Sequence, residues 1–287
     1  MEHDLLSVLA KRISGFSKGQ KLIAKYILNN YDKAAFMTAG KLGNVVGVSE
    51  STVVRFATEL GYDGYPTMRK AMQEMIRNRL TAVQRIEVAK KMIDDKDLSR
   101  SILTSDIQNL QTTIDNLDQD SFEAAVEAIV SAKNVYIVGM RTSTALANFL
   151  GLYLNLLRSG VNVVHDTAAS EIFEQLMRIG EGDLCIGISF PRYSSHTVDA
   201  MNYAKKMGAK TVALTDSAVS PINDLADISM YAKSDMVSFL DSLVAPMSLI
   251  NAIIAAVGIR NQETVSATFE KLENIWTEHD VYESSGN

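Results

Sequence analysis

Seven polar side chains are crowded into one short stretch of this 287-residue chain: Ser189, Arg192, Tyr193, Ser194, Ser195, His196 and Thr197. Before them runs Leu184, Cys185, Ile186, Gly187 and Ile188, an apolar segment whose length and polar borders predict a strand buried on both faces. After them Val198, Met201, Ala204 and Met207 recur at helical spacing and predict a buried stripe. Hydroxyls and an arginine at the start of a helix meet free backbone N–H groups and the positive end of the helix dipole, a combination that attracts anions, above all phosphate. The simpler alternative is that Ser194 or Ser195 only caps the helix. One cap accounts for one hydroxyl and leaves the remaining polar groups unexplained.

A second stretch, Gly139-Met140-Arg141-Thr142-Ser143-Thr144, has the same design: a strand before it, a helix after it, and hydroxyls with an arginine between. A third turn starts at Thr215-Asp216. Arg141 and Arg192 each read in two ways, as a solvated surface charge or as a planar donor fork suited to bidentate anion contact. Gly139 stands without the further glycines of a GxGxxG fingerprint, so a dinucleotide site fits poorly. No metal-binding spacing and no organic cofactor is expected.

These turns need a frame. Strands are predicted at 135–138, 161–164, 184–188, 210–214 and 228–232, with helices at 143–158, about 170–178, from 195, and about 238–260. Such alternation implies right-handed crossovers and an α/β doubly wound parallel sheet. Ligands of such sheets lie outside the carboxyl ends of the strands, near the switch point of strand order. Two further helices, about 98–117 and 120–132, precede the first strand. Val265, Phe269, Leu272 and Trp276 form one side of a last helix over about 263–280.

The first 80 residues read differently, as an all-α region. Leu5, Leu6, Val8 and Leu9 mark a first helix, and Ser17 caps a second in which Leu22, Ile23, Tyr26 and Ile27 point inward. Thr38 caps a third, which Gly47 ends. A fourth follows over 50–60, with Val53, Phe56, Ala57 and Leu60 at i, i+3, i+4 and i+7. Two helices joined by a tight glycine-containing turn form a helix-turn-helix, whose second helix enters the major groove. Ser49, Ser51, Thr52 and Arg55 are its candidate DNA contacts. An arbitrary helical bundle with Arg55 as a solvated charge is the competing reading. Charge distribution favours DNA: residues 1–80 carry 12 Lys/Arg and 7 Asp/Glu, while the whole chain is at −6. A further helix runs to about residue 80, and 81–97 reads as a helical tether.

Hydrophobic residues at 47% and charged residues at 22% are ordinary for a soluble globular protein. The apolar runs at 152–157 and 249–257 are too short and too interrupted to span a bilayer. The N-terminal stretch is acidic and amphipathic, unlike a secretory signal. Cys185 is the single cysteine, which excludes an internal disulfide and agrees with a reducing cytoplasm.

SESTVVRFATELGYDGY, VGMRTSTALA and ISFPRYSSHT, in this order and spacing, resemble the RpiR/MurR family of bacterial transcriptional regulators. The resemblance covers nearly the whole chain. It implies a helix-turn-helix domain at 1–80, the tether at 81–97 and a sugar isomerase (SIS) domain at 98–287 that senses a phosphosugar. Ser143 matches the hydroxyl of the first phosphate loop. In the second, which in SIS domains commonly reads Ser-x-Ser-Gly-x-Thr, Ser189, Ser194 and Thr197 match the hydroxyl positions. Pro191-Arg192-Tyr193 is an insertion, and Ser195 stands where glycine is usual. The implied partners are a double-stranded DNA operator, a phosphorylated sugar and further copies of the chain, as a homodimer or homotetramer.

SIS domains also occur in phosphosugar isomerases, so a catalytic alternative stands beside the sensor. His165, Glu171 and His196 are the candidates for proton transfer, which requires hydrogen-bond reach to the reacting carbons. A purely architectural DNA-binding protein is a third class, and it has no use for the hydroxyl-rich turns. A tethered DNA-binding region favours a cytoplasmic sensor without turnover.

Overall fold

The computed structural model of the protein describes residues 5–79, 83, 85–86, 97–165, 169–236 and 240–279. The chain forms two compact units, residues 1–88 and 89–287. The tether expected at 81–97 lies almost wholly outside the described residues.

The first unit is helical: α1 (Leu5–Arg12), α2 (Lys18–Asn29), a single turn α3 (Tyr31–Ala34), α4 (Ala39–Val46), α5 (Glu50–Glu59) and α6 (Tyr65–Arg79). Ser17 and Gln20 form a reciprocal capping box at α2, and Thr38 accepts from the Lys41 N–H at α4. The core gathers Leu9, Ile23, Ile27, Leu42, Val53, Phe56, Met68 and Met72, all fully buried. Phe16 and Phe56 meet edge to face at 5.3 Å, a favoured aromatic geometry. Leu22, expected inside, is exposed, and Ala24 takes the inward place beside Ile23 and Ile27. Its small side chain lets α2 approach its neighbours closely, and Leu22 falls on the rim.

The second unit opens with α7 (Leu98–Asp115) and α8 (Gln119–Ser131). There follow β1 (Val135–Gly139), α9 (Ser143–Leu157), β2 (Val161–Val164), α10 (Ala169–Leu176) and β3 (Leu184–Ile188). The unit closes with α11 (Ser195–Lys206), β4 (Lys210–Thr215), β5 (Ile228–Tyr231), α12 (Val244–Arg260) and α13 (Gln262–Glu278). The five strands pair in parallel in the order β2-β1-β3-β4-β5. Strands turn alternate residues to opposite faces, and both faces here are apolar. Val135, Ile137, Leu184, Ile186, Val212 and Leu214 pack with α8, α9 and α12 on one side. Tyr136, Val138, Cys185 and Ala213 pack with α10 and α11 on the other.

Two details depart from the sequence reading. Met207 is exposed at the end of α11, where Thr197, Ala200, Met201 and Ala204 form the buried stripe. The helix expected from about 238 begins at Val244. Pro246 sits in its first turn, where a missing N–H costs nothing, and the chain before it is held by α7 instead. The Lys233 N–H donates to the Thr113 hydroxyl at 2.9 Å, and the Asn109 amide donates to the Asp235 carbonyl at 3.0 Å. Among the described residues no single helix is long and apolar enough to cross a membrane.

Candidate functional site

The outer face of α5 is built by a tight turn. α4 ends at Gly47, in the left-handed region with φ 78°, and Ser49 already caps α5. A Cβ at Gly43 would stand 2.7 Å from the Val48 carbonyl oxygen, so only glycine lets the two helices close this turn. The sequence pattern points to Gly47, whereas the need for glycine at Gly43 comes from the approach of the next helix. The Ser49 hydroxyl accepts from the Thr52 N–H at 3.3 Å and lies 2.9 and 2.8 Å from the hydroxyls of Ser51 and Thr52. Ser49, Ser51 and Arg55 are exposed and Thr52 is half-buried, so the four residues cluster on the solvent side of the first turns of α5. Arg55 lies back along its own helix, Nε donating to the Ser51 carbonyl at 3.4 Å. Val54 adds an exposed apolar group beside them.

In the second unit, the order β2-β1-β3-β4-β5 reverses between β1 and β3, the position where doubly wound sheets open a crevice. Gly139 pairs with Ile188, so β1 and β3 end side by side and their following turns leave from one edge. A Cβ on Gly139 would meet the Ser143 carbonyl oxygen at 2.7 Å, so the absence of a side chain lets α9 start directly over the strand end. The Thr144 hydroxyl donates to the Gly139 carbonyl at 3.0 Å and fixes that closure.

The structure brings the predicted residues of both turns to this edge. Ser143 and Ser189 are buried, Ser194 is half-buried, and Arg141, Arg192 and Ser195 are exposed. Arg141 (φ 58°) and Arg192 (φ 64°) are the non-glycine residues with positive φ among those described. This backbone conformation is uncommon for a long side chain and tends to occur at functional turns. Ser194 occupies the N-cap position of α11, yet its side chain makes no capping hydrogen bond. The Thr197 hydroxyl, in the first turn of the same helix, is fully buried and has no hydrogen-bond partner among the described residues. The capping alternative therefore does not use the Ser194 hydroxyl.

The third turn locks onto the second. The Thr215 hydroxyl donates to the Ser189 carbonyl at 2.6 Å, and the Tyr193 hydroxyl donates to Asp216 Oδ1 at 2.8 Å. The sequence places Tyr193 in the second turn and Asp216 at the start of the third without pairing them. The insertion that carries Tyr193 is the available signal, but the pairing depends on the β3–β4 adjacency.

His165, Glu171 and His196 are the proton-transfer candidates. His165 follows β2 and is exposed, with its backbone N–H and carbonyl both bonded to the Gln175 side-chain amide at 2.8 and 3.1 Å. Glu171 is exposed on α10 and His196 is half-buried in α11. An open polar groove of about 620 Å³ lies at the opposite end of the sheet, against Lys133, Asn134, Arg178 and Asp183. Both Asp183 oxygens are already engaged there, by Asn134 and by the Gly180 N–H at 3.0 Å, so this groove holds a structural tie.

Comparison with known proteins accords with both halves. Residues 3–79 match the helix-turn-helix domain of the rpiR family, and residues 128–256 match the SIS domain. The sugar isomerase domain of an RpiR transcription factor from Sphaerobacter thermophilus is 35% identical, with 62% of this chain and 99% of that one covered and a TM-score of 0.59. The chain belongs to the RpiR family of transcription factors. Full-length likeness extends to the NanR protein of Vibrio vulnificus, solved in complex with ManNAc-6P. It is 22% identical over 94% of this RpiR-family chain and 98% of that one, with a TM-score of 0.59. An uncharacterised HTH-type transcriptional regulator of Caldanaerobacter subterraneus is 23% identical over 95% of this chain and 96% of its own length. In this RpiR-family regulator the α4–α5 pair is the helix-turn-helix, and the parallel sheet with its edge turns is the SIS domain.

Proposed function

We propose that this regulator senses a phosphorylated sugar at the turns after β1 and β3 and that the bound sugar changes its affinity for a DNA operator. The observation that carries this reading is the unspent hydroxyl pair at the start of α11: Ser194 at the N-cap without a capping bond, and Thr197 buried without a partner. Buried polar groups are nearly always hydrogen-bonded, so an orphan beside a helix N-terminus suits an anionic ligand. Ser143, Ser189, Ser194, Ser195 and Thr197 supply hydroxyls, and Arg141 and Arg192 the positive charge at the mouth. The phosphosugar bound to NanR belongs to the class these groups would take.

DNA is bound through Ser49, Ser51, Thr52 and Arg55 on α5, within a domain of residues 1–80 joined by the tether at 81–97 to the sensing domain at 98–287. Two copies in a homo-oligomer present paired recognition helices to a pseudo-palindromic operator. Sugar and operator affinities are then reciprocally coupled, typically by about 1–3 kcal/mol. The protein acts without turnover: a DNA-binding unit on the same chain gives the bound sugar a use that needs no chemistry.

Thermal-shift measurements across phosphorylated sugars and amino sugars test the sensing step. A true effector at 100 times its dissociation constant stabilises the protein by about 2.7 kcal/mol, and Ser189→Ala with Ser194→Ala removes that shift while DNA binding persists. An unchanged response in the double variant would place the effector elsewhere. Interconversion of ketose and aldose phosphates, abolished by Glu171→Gln, would make the protein an isomerase instead.

A further inference from the structure

The groove at the amino ends of β1 and β3 is larger than the Asp183 tie that holds one wall of it. In the sheet register Tyr136 of β1 stands beside Asn162 of β2, so both side chains lie on the face that carries α10. The groove opens beside the end of α10, where the Gln175 side chain clasps the His165 backbone and fixes a second wall. The Tyr136 ring packs into the core of that face, and the residue is 7% exposed. Its hydroxyl reaches the groove, close enough to Asp183 and Arg178 to feel both charges. Burial first, and then the Asp183 carboxylate, raise its pKa, so the phenol keeps its proton as a donor. Yet it has no hydrogen-bond partner among the described residues, whereas a tyrosine hydroxyl this deep usually finds one. Around it stand Lys133, Asn162, Glu174 and Arg178, whose side chains likewise make no hydrogen bond or ion pair with the described residues.

We propose that this groove binds a neutral, polyhydroxylated small molecule, an unphosphorylated sugar, at a site separate from the turns after β1 and β3. Lys133 and Arg178 face Glu174 and Asp183 across it, so an anion would meet two carboxylates along with its two cations. Asp183 Oδ1 takes two N–H donors from Asn134, at 3.2 and 2.9 Å. Oδ2 takes one, from Gly180 at 3.0 Å, and keeps a lone pair for another. A ligand atom between Tyr136 and Asp183 must therefore accept from the phenol and donate to the carboxylate. A hydroxyl does both, whereas a carboxylate cannot donate and an ammonium cannot accept. The unpaired Lys133, Arg178 and Glu174 then serve further hydroxyls through charge-assisted hydrogen bonds. Met177, 63% exposed, offers an apolar surface to the C–H face of a sugar ring. The volume of about 620 Å³ falls within the range of small-molecule sites. The site stands whether or not the edge turns bind a phosphosugar.

Saturation-transfer NMR on the full chain, with D-glucose, D-mannose, D-ribose and maltose as probes, provides the test. At least one of these sugars is expected to receive saturation. Tyr136→Phe keeps the ring and removes a hydroxyl that bonds nothing, so circular dichroism should stay unchanged while the Kd of that sugar rises about tenfold. Asn162→Ala, a change at an exposed position, should weaken the sugar in the same direction and decides the matter if Tyr136→Phe fails to fold. Saturation of none of the four sugars, or a Kd that both variants leave unaltered, would overturn the site. Binding that survives Tyr136→Phe but is lost in Ser189→Ala with Ser194→Ala would place the sugar at the edge turns and overturn it equally. Should glycine in the same experiment, or inorganic phosphate followed by phosphorus NMR, bind in a Tyr136-dependent way while no sugar does, the neutral class of ligand would be overturned.

Discussion

At the start of α5 the Ser49 hydroxyl accepts from the Thr52 N–H and touches two neighbouring hydroxyls, whereas at the start of α11 Ser194 holds the same N-cap position and makes no capping bond. The residue types are the same, and so is their place on the helix. What differs is where the hydroxyls are spent. In α5 they close the helix end and organise one another, and Arg55 lies exposed beside them. In α11 the helix end is left open, with a buried Thr197 hydroxyl behind it. A serine at a helix start is thus a structural cap in one unit and a hydroxyl without a capping role in the other, and hydrogen-bond accounting separates the two.

The largest effects should come from the glycines that allow each helix to start where it does. Gly43→Ala puts a Cβ against the Val48 carbonyl and Gly139→Ala puts one against the Ser143 carbonyl. Overpacking of this kind costs about 1–3 kcal/mol. Denaturant titration should show the first substitution weakening the helical unit and the second weakening the sheet unit. If either proved neutral, the corresponding helix start would be more pliable than its contacts imply.

Next in size is the loss of DNA affinity on replacing Arg55 by alanine, about 1–3 kcal/mol if the guanidinium meets a base edge. Fluorescence anisotropy with operator DNA measures it, and the effector's thermal shift should be unaltered in the same variant. Equal loss of both responses, with the fold intact, would erase the contrast between the two helix starts.

Much of this organisation was legible in the sequence because periodicity reports directly on shared faces. The strands at Val135–Gly139 and Leu184–Ile188, the caps at Ser17 and Thr38 and the turn at Gly47 all follow from local pattern. Periodicity does not report which face is covered. Leu22 and Met207 fit their helical stripes and stand exposed, and α7 turns its aliphatic row outward because its polar residues bond a segment more than 100 positions away. The Tyr193–Asp216 contact was hidden for the same reason: it joins two turns that only the β3–β4 pairing brings together.

A smaller effect distinguishes the caps themselves. Ser49→Ala removes a working N-cap and should cost about 1 kcal/mol. Its counterpart Ser194→Ala removes a hydroxyl that caps nothing and should leave stability within about 0.5 kcal/mol, as surface changes usually do. Differential melting of the two variants without ligand gives the first half of the comparison. The second half repeats the melts with a saturating sugar phosphate. Ser49→Ala should keep the full ligand-induced shift, because its loss is confined to the fold of the helical unit. Ser194→Ala should lose part of it, because that hydroxyl makes its contact only in the bound state. A stability loss of about 1 kcal/mol in unliganded Ser194→Ala would mean that this serine caps α11 in solution after all. The anion would then have to be held by Thr197, the arginines and the backbone amides alone.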